Sequence, residues 1–237
     1  MNSRVRIAPP GETVRVLTEK ELDRRRFLRR GSLGWMNKMR EYRPTIYGSI
    51  ARGDVKESSD ADIIIDPIPS FKYELILDQK WLSRSIVQAT PNHTPKTVYE
   101  LTNDIHLTVP FLPLSEREMD FVSFGGKLSL SRFQNGDYAV GINKALQLVE
   151  PVDQKGFSFK YTSLKSIPVH IAARKANCGV DVITERIRVL SKREEVGRKG
   201  LYVNEIIHES EQPEEALRRI AAINPGIRRI LAHFGLH

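Results

Sequence analysis

Asp60 and Asp62 stand at i and i+2 in Ser59-Asp-Ala-Asp-Ile-Ile-Ile65, and Ala61 to Ile65 reads as a buried strand. In a strand this spacing sends both side chains to one face. Two carboxylates held so close repel one another unless a cation lies between them. Hard oxygen donors suit Mg2+, which keeps several waters and takes one or two carboxylates together with substrate phosphates. Upstream, Gly48-Ser49 follows the short strand Thr45-Ile-Tyr and precedes a brief helical segment. Backbone N–H groups and a hydroxyl at such a turn can receive an anion, and glycine lets the backbone come close to it. A phosphate cradle, a carboxylate pair and a divalent ion are the parts needed for phosphoryl or nucleotidyl transfer. The pattern is not a P-loop, because no Gly-Lys-Ser/Thr follows the spaced glycines.

In this order, Gly48, Ser49, Arg52, Gly53, Ser59, Asp60 and Asp62 resemble the signature of the DNA polymerase β-type nucleotidyltransferase superfamily. The strong part of the resemblance covers residues 45–66, with a looser match to 126. It implies an α/β (α+β) core with a mixed sheet, two Mg2+ ions with Mn2+ as an alternative, and an NTP whose triphosphate lies over Gly48-Ser49, with Arg52 on the phosphates. The chemistry implied is transfer of a nucleoside monophosphate to an acceptor hydroxyl with release of pyrophosphate. The family also carries a third carboxylate on a later strand. Laid on this chain, that position falls near Thr108, which has no carboxylate. Glu100 on the partner strand, Asp104 in the turn and Asp120 on a following helix are the candidates to replace it.

Other chemistry is not signalled. His93, His106, His170, His208, His233 and His237 show no ligand spacing, and Gly-x-Ser-x-Gly is absent. Cys178 is the single cysteine, which excludes an internal disulfide and a cysteine-based zinc site. Tyr47, Phe71 and Tyr73 are candidates to stack on a base and also fit a core.

The elements that must hold these residues follow from local signals. Thr18-Glu-Lys-Glu21 has capping-box spacing and opens a helix through Arg30. Gly31 is expected to interrupt it, with Ser32 capping a second helix to about Tyr42, where Pro44 turns Arg43 away from helix. A helical pattern covers 71–89, with Leu75, Leu82 and Ile86 as core positions. Thr97–Leu101 and Ile105–Leu112 read as a hairpin, and Ser115-Glu-Arg-Glu118 as a second capping box before a helix ending at Gly125-Gly126. Residues 127–160 read as loops and short strands.

From Ser166 the pattern resembles a winged helix-turn-helix. Pro168 to Asn177 and a helix through Val182, Ile183, Ile187 and Leu190 flank a Cys178-Gly179 turn. Glu194–Val196 and Leu201–Val203 would be the wing strands around a basic tip. Arg186, Arg188, Lys192, Arg193, Arg198 and Lys199 would then contact nucleic acid. Pro213 starts a helix to Ile223, Asn224-Pro225-Gly226 breaks it, and Ile227–Phe234 forms the last.

Charge fits this partition. The net charge of +8 divides into +7 over residues 1–44, −4 over 45–150, +6 over 151–200 and −1 over 201–237. An acidic middle flanked by basic stretches is what a metal site beside polyanion-contacting surfaces produces. With 40% hydrophobic residues the chain is globular rather than disordered. No apolar stretch approaches the roughly 20 residues that span a bilayer. The expected organisation is an N-terminal helical segment over 1–44, a nucleotidyltransferase domain over 45–160, and a winged-helix-like domain with C-terminal helices over 161–237. The expected protein is a cytoplasmic, metal-dependent nucleotidyltransferase acting on NTP and an acceptor, with nucleic acid favoured and no membrane partner. The alternative is a nucleic-acid-binding regulator whose nucleotidyltransferase domain binds NTP without catalysis.

Overall fold

The computed structural model describes residues 7–102, 104–196 and 200–234, leaving out the side chains of 193–196. In chain order the elements are β1 (Glu12–Val16), α1 (Glu19–Lys38), β2 (Thr45–Tyr47), α2 (Ser49–Arg52), β3 (Ala61–Ile64), α3 (Ser70–Leu77), β4 (Trp81–Gln88), β5 (Lys96–Leu101) and β6 (Ile105–Pro110). They continue with α4 (Glu116–Phe124), β7 (Lys127–Ser129), α5 (Leu130–Gln134), β8 (Gly141–Ile142), β9 (Gln147–Pro151) and β10 (Ser158–Ser163). The last are α6 (Val169–Ala176), α7 (Val180–Val196), β11 (Val203–Ile206), α8 (Pro213–Ile223) and α9 (Pro225–His233). The chain is mixed α/β, and no described helix is long and apolar enough to cross a membrane.

Both expected capping boxes form. The Thr18 hydroxyl accepts the Glu21 N–H while Glu21 reaches back to the Thr18 N–H, and Ser115 and Glu118 do the same at α4. Gly31, however, does not interrupt α1, and Ser32 is fully buried within it rather than capping a second helix. A Cβ at Gly31 would lie 2.7 Å from Ile105 Cδ1, so the glycine gives α1 a close approach to β6.

Among the described residues, seven strands form one mixed sheet in the order β11-β4-β5-β6-β3-β2-β7. β2 and β3 are antiparallel, whereas β3 and β6 are parallel. Ile46, Ile63, Leu107 and Tyr99 align across this sheet and are buried in the main core with Leu28 and Met36 of α1 and Leu77 of α3. The alternating residues, Tyr47, Asp62, His106 and Glu100, line the opposite face.

A second sheet, β1-β10-β9-β8, pairs the N-terminal segment with residues 141–163. β1 falls in a stretch read only for helices: it is an edge strand whose Val14 and Val16 are 60% and 67% exposed, so no buried face marks it. The helical reading of 71–89 is half right. α3 stops at Leu77, where Asp78 and Gln79 take left-handed φ of 52° and 55°, and β4 follows. Ile86 is core, but Leu75 and Leu82 are exposed. Alternation in β4 is hidden because two of its buried positions hold Arg84 and Gln88.

The helix pair expected after Ser166 forms as α6 and α7, but the wing does not. Residues 194–196 belong to α7, and Val203 begins β11, which pairs antiparallel with β4 at the edge of the larger sheet. Strand pairing therefore crosses both expected domain boundaries, 44/45 through β1 with β10 and 160/161 through β11 with β4.

Candidate metal and nucleotide site

The Gly48-Ser49 turn is built by glycines from two segments. Gly48 has φ +80°, and its N–H donates to the Gly126 carbonyl at 2.9 Å. A Cβ at Gly48 would stand 3.8 Å from Asp62 Oδ2, so the turn and the carboxylate face each other directly. Ser49 is half-buried at the first residue of α2.

Arg52, expected on the phosphates, is held inside the protein. It is 5% exposed, its Nε donates to Asp54 Oδ1 at 2.9 Å, and its Nη1 donates to the Gly125 carbonyl. The guanidinium is consumed in tying α2 to the Gly125-Gly126 turn. Burial pushes the Asp54 carboxyl up, against the pull of Arg52.

Helix α1 sets the approach to the carboxylates. Arg24 donates through Nε and Nη2 to the Ser59 carbonyl at 3.0 and 2.7 Å and pairs with Asp104 at 2.6 Å. The Ala61 N–H donates to the Asp104 carbonyl at 3.0 Å. Asp104 is thereby occupied in positioning the loop that leads Asp60 into β3.

Asp60 and Asp62 converge with a residue the spacing argument set aside. Parallel pairing puts His106 opposite Asp62, with His106 Nδ1 3.6 Å from Asp62 Oδ1 and 4.0 Å from Asp60 Oδ2. One donor atom from each of the three lies within 4.8 Å of the others, so the group could hold a metal ion. The side chains of Asp60, Asp62 and His106 are 47%, 35% and 29% exposed, which leaves room for ligands from solution. Hydrogen-bonding attraction to Asp62 lifts the His106 pKa above its ordinary value against the effect of burial, and the charges of Asp60 and Glu100 add to the rise. Tyr47, opposite Asp62 on β2, has its phenol pushed up by burial and by the Asp62 charge.

Thr108, where the third carboxylate is expected, is buried opposite Ile64. His106 stands two residues before it on the same strand face. That i, i+2 relation was the available signal for His106, since a face argument rather than a ligand motif identifies it. Glu100 is opposite His106 on β5 and is held by the Ser83 hydroxyl at 2.9 Å, making it the next carboxylate along the row. Asp120 is not in this group: it accepts the Gly179 N–H at 2.9 Å and links α4 to the start of α7. Two carboxylates and one imidazole fit one divalent ion, while a hard-ion pair lacks a third carboxylate in this cluster.

Lys127 continues the row beyond Tyr47. It lines a cleft of about 440 Å³ together with Thr45, Ser129, Arg132 and Lys175. Arg132 is paired to Asp137 and Lys175 to Glu150.

Among the basic residues of the helix pair, Arg188 and Lys192 are exposed on α7. Arg186, also expected on nucleic acid, turns inward, its guanidinium 5.0 Å from the Phe121 ring and 6.0 Å from Phe124. The side chain of Arg193, and Arg198 and Lys199 entirely, lie outside the described residues.

Comparison of the chain with protein-family models, curated proteins and solved structures finds no match.

Proposed function

We propose that the protein is a metal-dependent nucleotidyltransferase that moves a nucleoside monophosphate from an NTP to an acceptor hydroxyl and releases pyrophosphate. The placement of the Gly48 backbone against the Asp62 carboxylate carries this reading, because a phosphate seated on the turn lies beside the acidic cluster. The order of strand, Gly-Ser turn and Asp-x-Asp strand in a mixed sheet supports it as well. The triphosphate lies over the Gly48-Ser49 turn, where Gly48 lets it approach the backbone and Ser49 binds it through its N–H and hydroxyl, and Asp60 and Asp62 hold the divalent ion. When bound, that ion neutralises phosphate charge and favours ionisation of the acceptor hydroxyl. Lys127 supplies positive charge two strands from Asp62, roughly 10 Å away at normal strand spacing. Nucleic acid is the favoured acceptor, with Arg188 and Lys192 offering exposed cations. A cytoplasmic setting belongs to the same proposal, consistent with the half-buried free thiol of Cys178.

The test follows pyrophosphate and label transfer from each α-labelled NTP to a mixed RNA and DNA oligonucleotide pool, with Mg2+ or Mn2+. Asp62→Asn is expected to abolish transfer with the melting transition unchanged, and full activity in that variant refutes the reading. A second reading, NTP-responsive nucleic-acid binding without transfer, is favoured by Thr108 in the expected carboxylate position and by the sequestered Arg52. NTP binding that alters DNA affinity without pyrophosphate release would select it.

A further inference from the structure

We propose that Asp60, Asp62 and His106 form a single-ion site selective for a first-row transition ion over Mg2+, with His106 as the ligand that sets the preference. The inference deepens the nucleotidyltransferase reading in its choice of metal, but the site's selectivity is a property of the free protein.

Three observations carry it. First, Asp62 and His106 come from two strands that pair in parallel and stand in direct register, with Asp60 on the loop entering β3. The backbones of Asp62 and His106 are thus held by the sheet. Second, the distances suit one shared ion. An ion about 2.1 Å from each donor places neighbouring donors roughly 3.0–3.4 Å apart. His106 Nδ1 lies 3.6 Å and 4.0 Å from the carboxylate oxygens and all three donors lie within 4.8 Å of one another, so side-chain adjustment alone can bring them onto one ion. Third, the donor chemistry is mixed. Imidazole nitrogen is a poor ligand for Mg2+, which prefers oxygen and water, and a good one for transition ions. The two carboxylates and the substrate-facing side remain oxygen donors, a combination that Mn2+ accepts as readily as nitrogen.

The neighbouring groups are consistent with one ion. Glu100, opposite His106, is held by Ser83, and Tyr47, opposite Asp62, carries an uncharged phenol. Neither competes for the imidazole as a cation would.

The measurement uses the full chain, stripped of metal by a chelator, without nucleotide. Mn2+ is the probe, titrated by the loss of its free-ion electron paramagnetic resonance signal and competed with Mg2+. Pulsed resonance of the bound Mn2+ is expected to show coupling to an imidazole nitrogen in the wild type, a readout that requires no variant. His106→Ala is expected to lose that coupling and at least tenfold in Mn2+ affinity, with Mg2+ affinity changed less than threefold. His106→Asp is expected to narrow the preference for Mn2+ over Mg2+ at least tenfold, and Asp62→Asn to weaken both ions. Bound Mn2+ without nitrogen coupling overturns the proposal, as does an unchanged ion preference in His106→Asp. Absence of Mn2+ binding also overturns it and leaves the cluster as an Asp-His ion pair. Because no transfer is measured, a nitrogen-coupled ion in a protein that releases no pyrophosphate would refute the transferase reading and leave this one standing.

Discussion

Truncating Arg52 removes the partner of a carboxylate that is 6% exposed. Breaking a buried ion pair from one side costs about 3–5 kcal/mol, because the remaining charge stays desolvated. Arg52→Ala is therefore expected to lose about that much unfolding free energy in a urea titration. A stability loss near zero, with NTP affinity alone reduced, would return Arg52 to the phosphates. Asp60, Asp62 and His106 differ from it in kind. They are partly open to solvent and mutually close, so the attraction and repulsion among them is left for a ligand to resolve. The folded structure thus separates two acidic groups only a few residues apart in the chain, one neutralised internally at Asp54 and one presented outward.

Element packing decides whether the glycine turn keeps its shape. A Cβ on Gly141 of β8 would meet Gly126 N at 2.4 Å and Gly126 Cα at 2.6 Å, both backbone atoms with no freedom to turn aside. Gly126 in turn accepts the Gly48 N–H. Gly141→Ala is expected to cost about 1–3 kcal/mol through overpacking. It should weaken NTP binding at the same time, measured by calorimetry beside a melt. The α4 capping box has a different dependence. Burial pushes the Glu118 carboxyl up, but Lys96 at 2.9 Å and the donors on Thr94 and Ser115 outweigh it and hold its pKa below the ordinary value. A depressed carboxylate adds stability above its unfolded pKa of about 4.3 and loses it as pH falls through the folded value. The stability gap between wild type and Glu118→Gln should be full at pH 7 and shrink below about pH 4. A gap that grows on acidification would contradict this assignment.

For the molecule as a whole, segments far apart in the chain are sewn together in sheets, β1 onto β10 and β11 onto β4. The helix pair α6 and α7 packs with Phe124 of α4, Ile142 and Leu148 of the smaller sheet and Leu146 in the turn between β8 and β9 in one apolar cluster. A nucleic acid bound along α7 would therefore be presented by the same body that holds the acidic cluster. If α7 is that surface, affinity for non-specific DNA or RNA falls steeply with salt. Arg188→Glu and Lys192→Glu should each lower the slope of log affinity against log salt by about one. Unaltered slopes would move the nucleic-acid contact elsewhere.

What could be read from the chain alone is what neighbouring residues decide among themselves. The capping boxes at Thr18 and Ser115, the Gly48 turn, the shared face of Asp60 and Asp62, and the Asn224-Pro225-Gly226 break between α8 and α9 are all set within a few residues. β1 and β4 left no such trace, because one buries no face and the other buries Arg84 among partners over a hundred residues away, at the carbonyls of 208, 209 and 211. The place of His106 belongs to the same class. Its role depends on β6 lying parallel to β3 with 106 opposite 62, a register that 43 residues of intervening chain do not encode locally. The fates of Arg52 and Asp120 were likewise decided by Gly125 and Gly179, groups brought near by packing. Local backbone preference and side-chain periodicity act over a few residues, whereas burial and ion pairing are decided by which distant segments the core draws together.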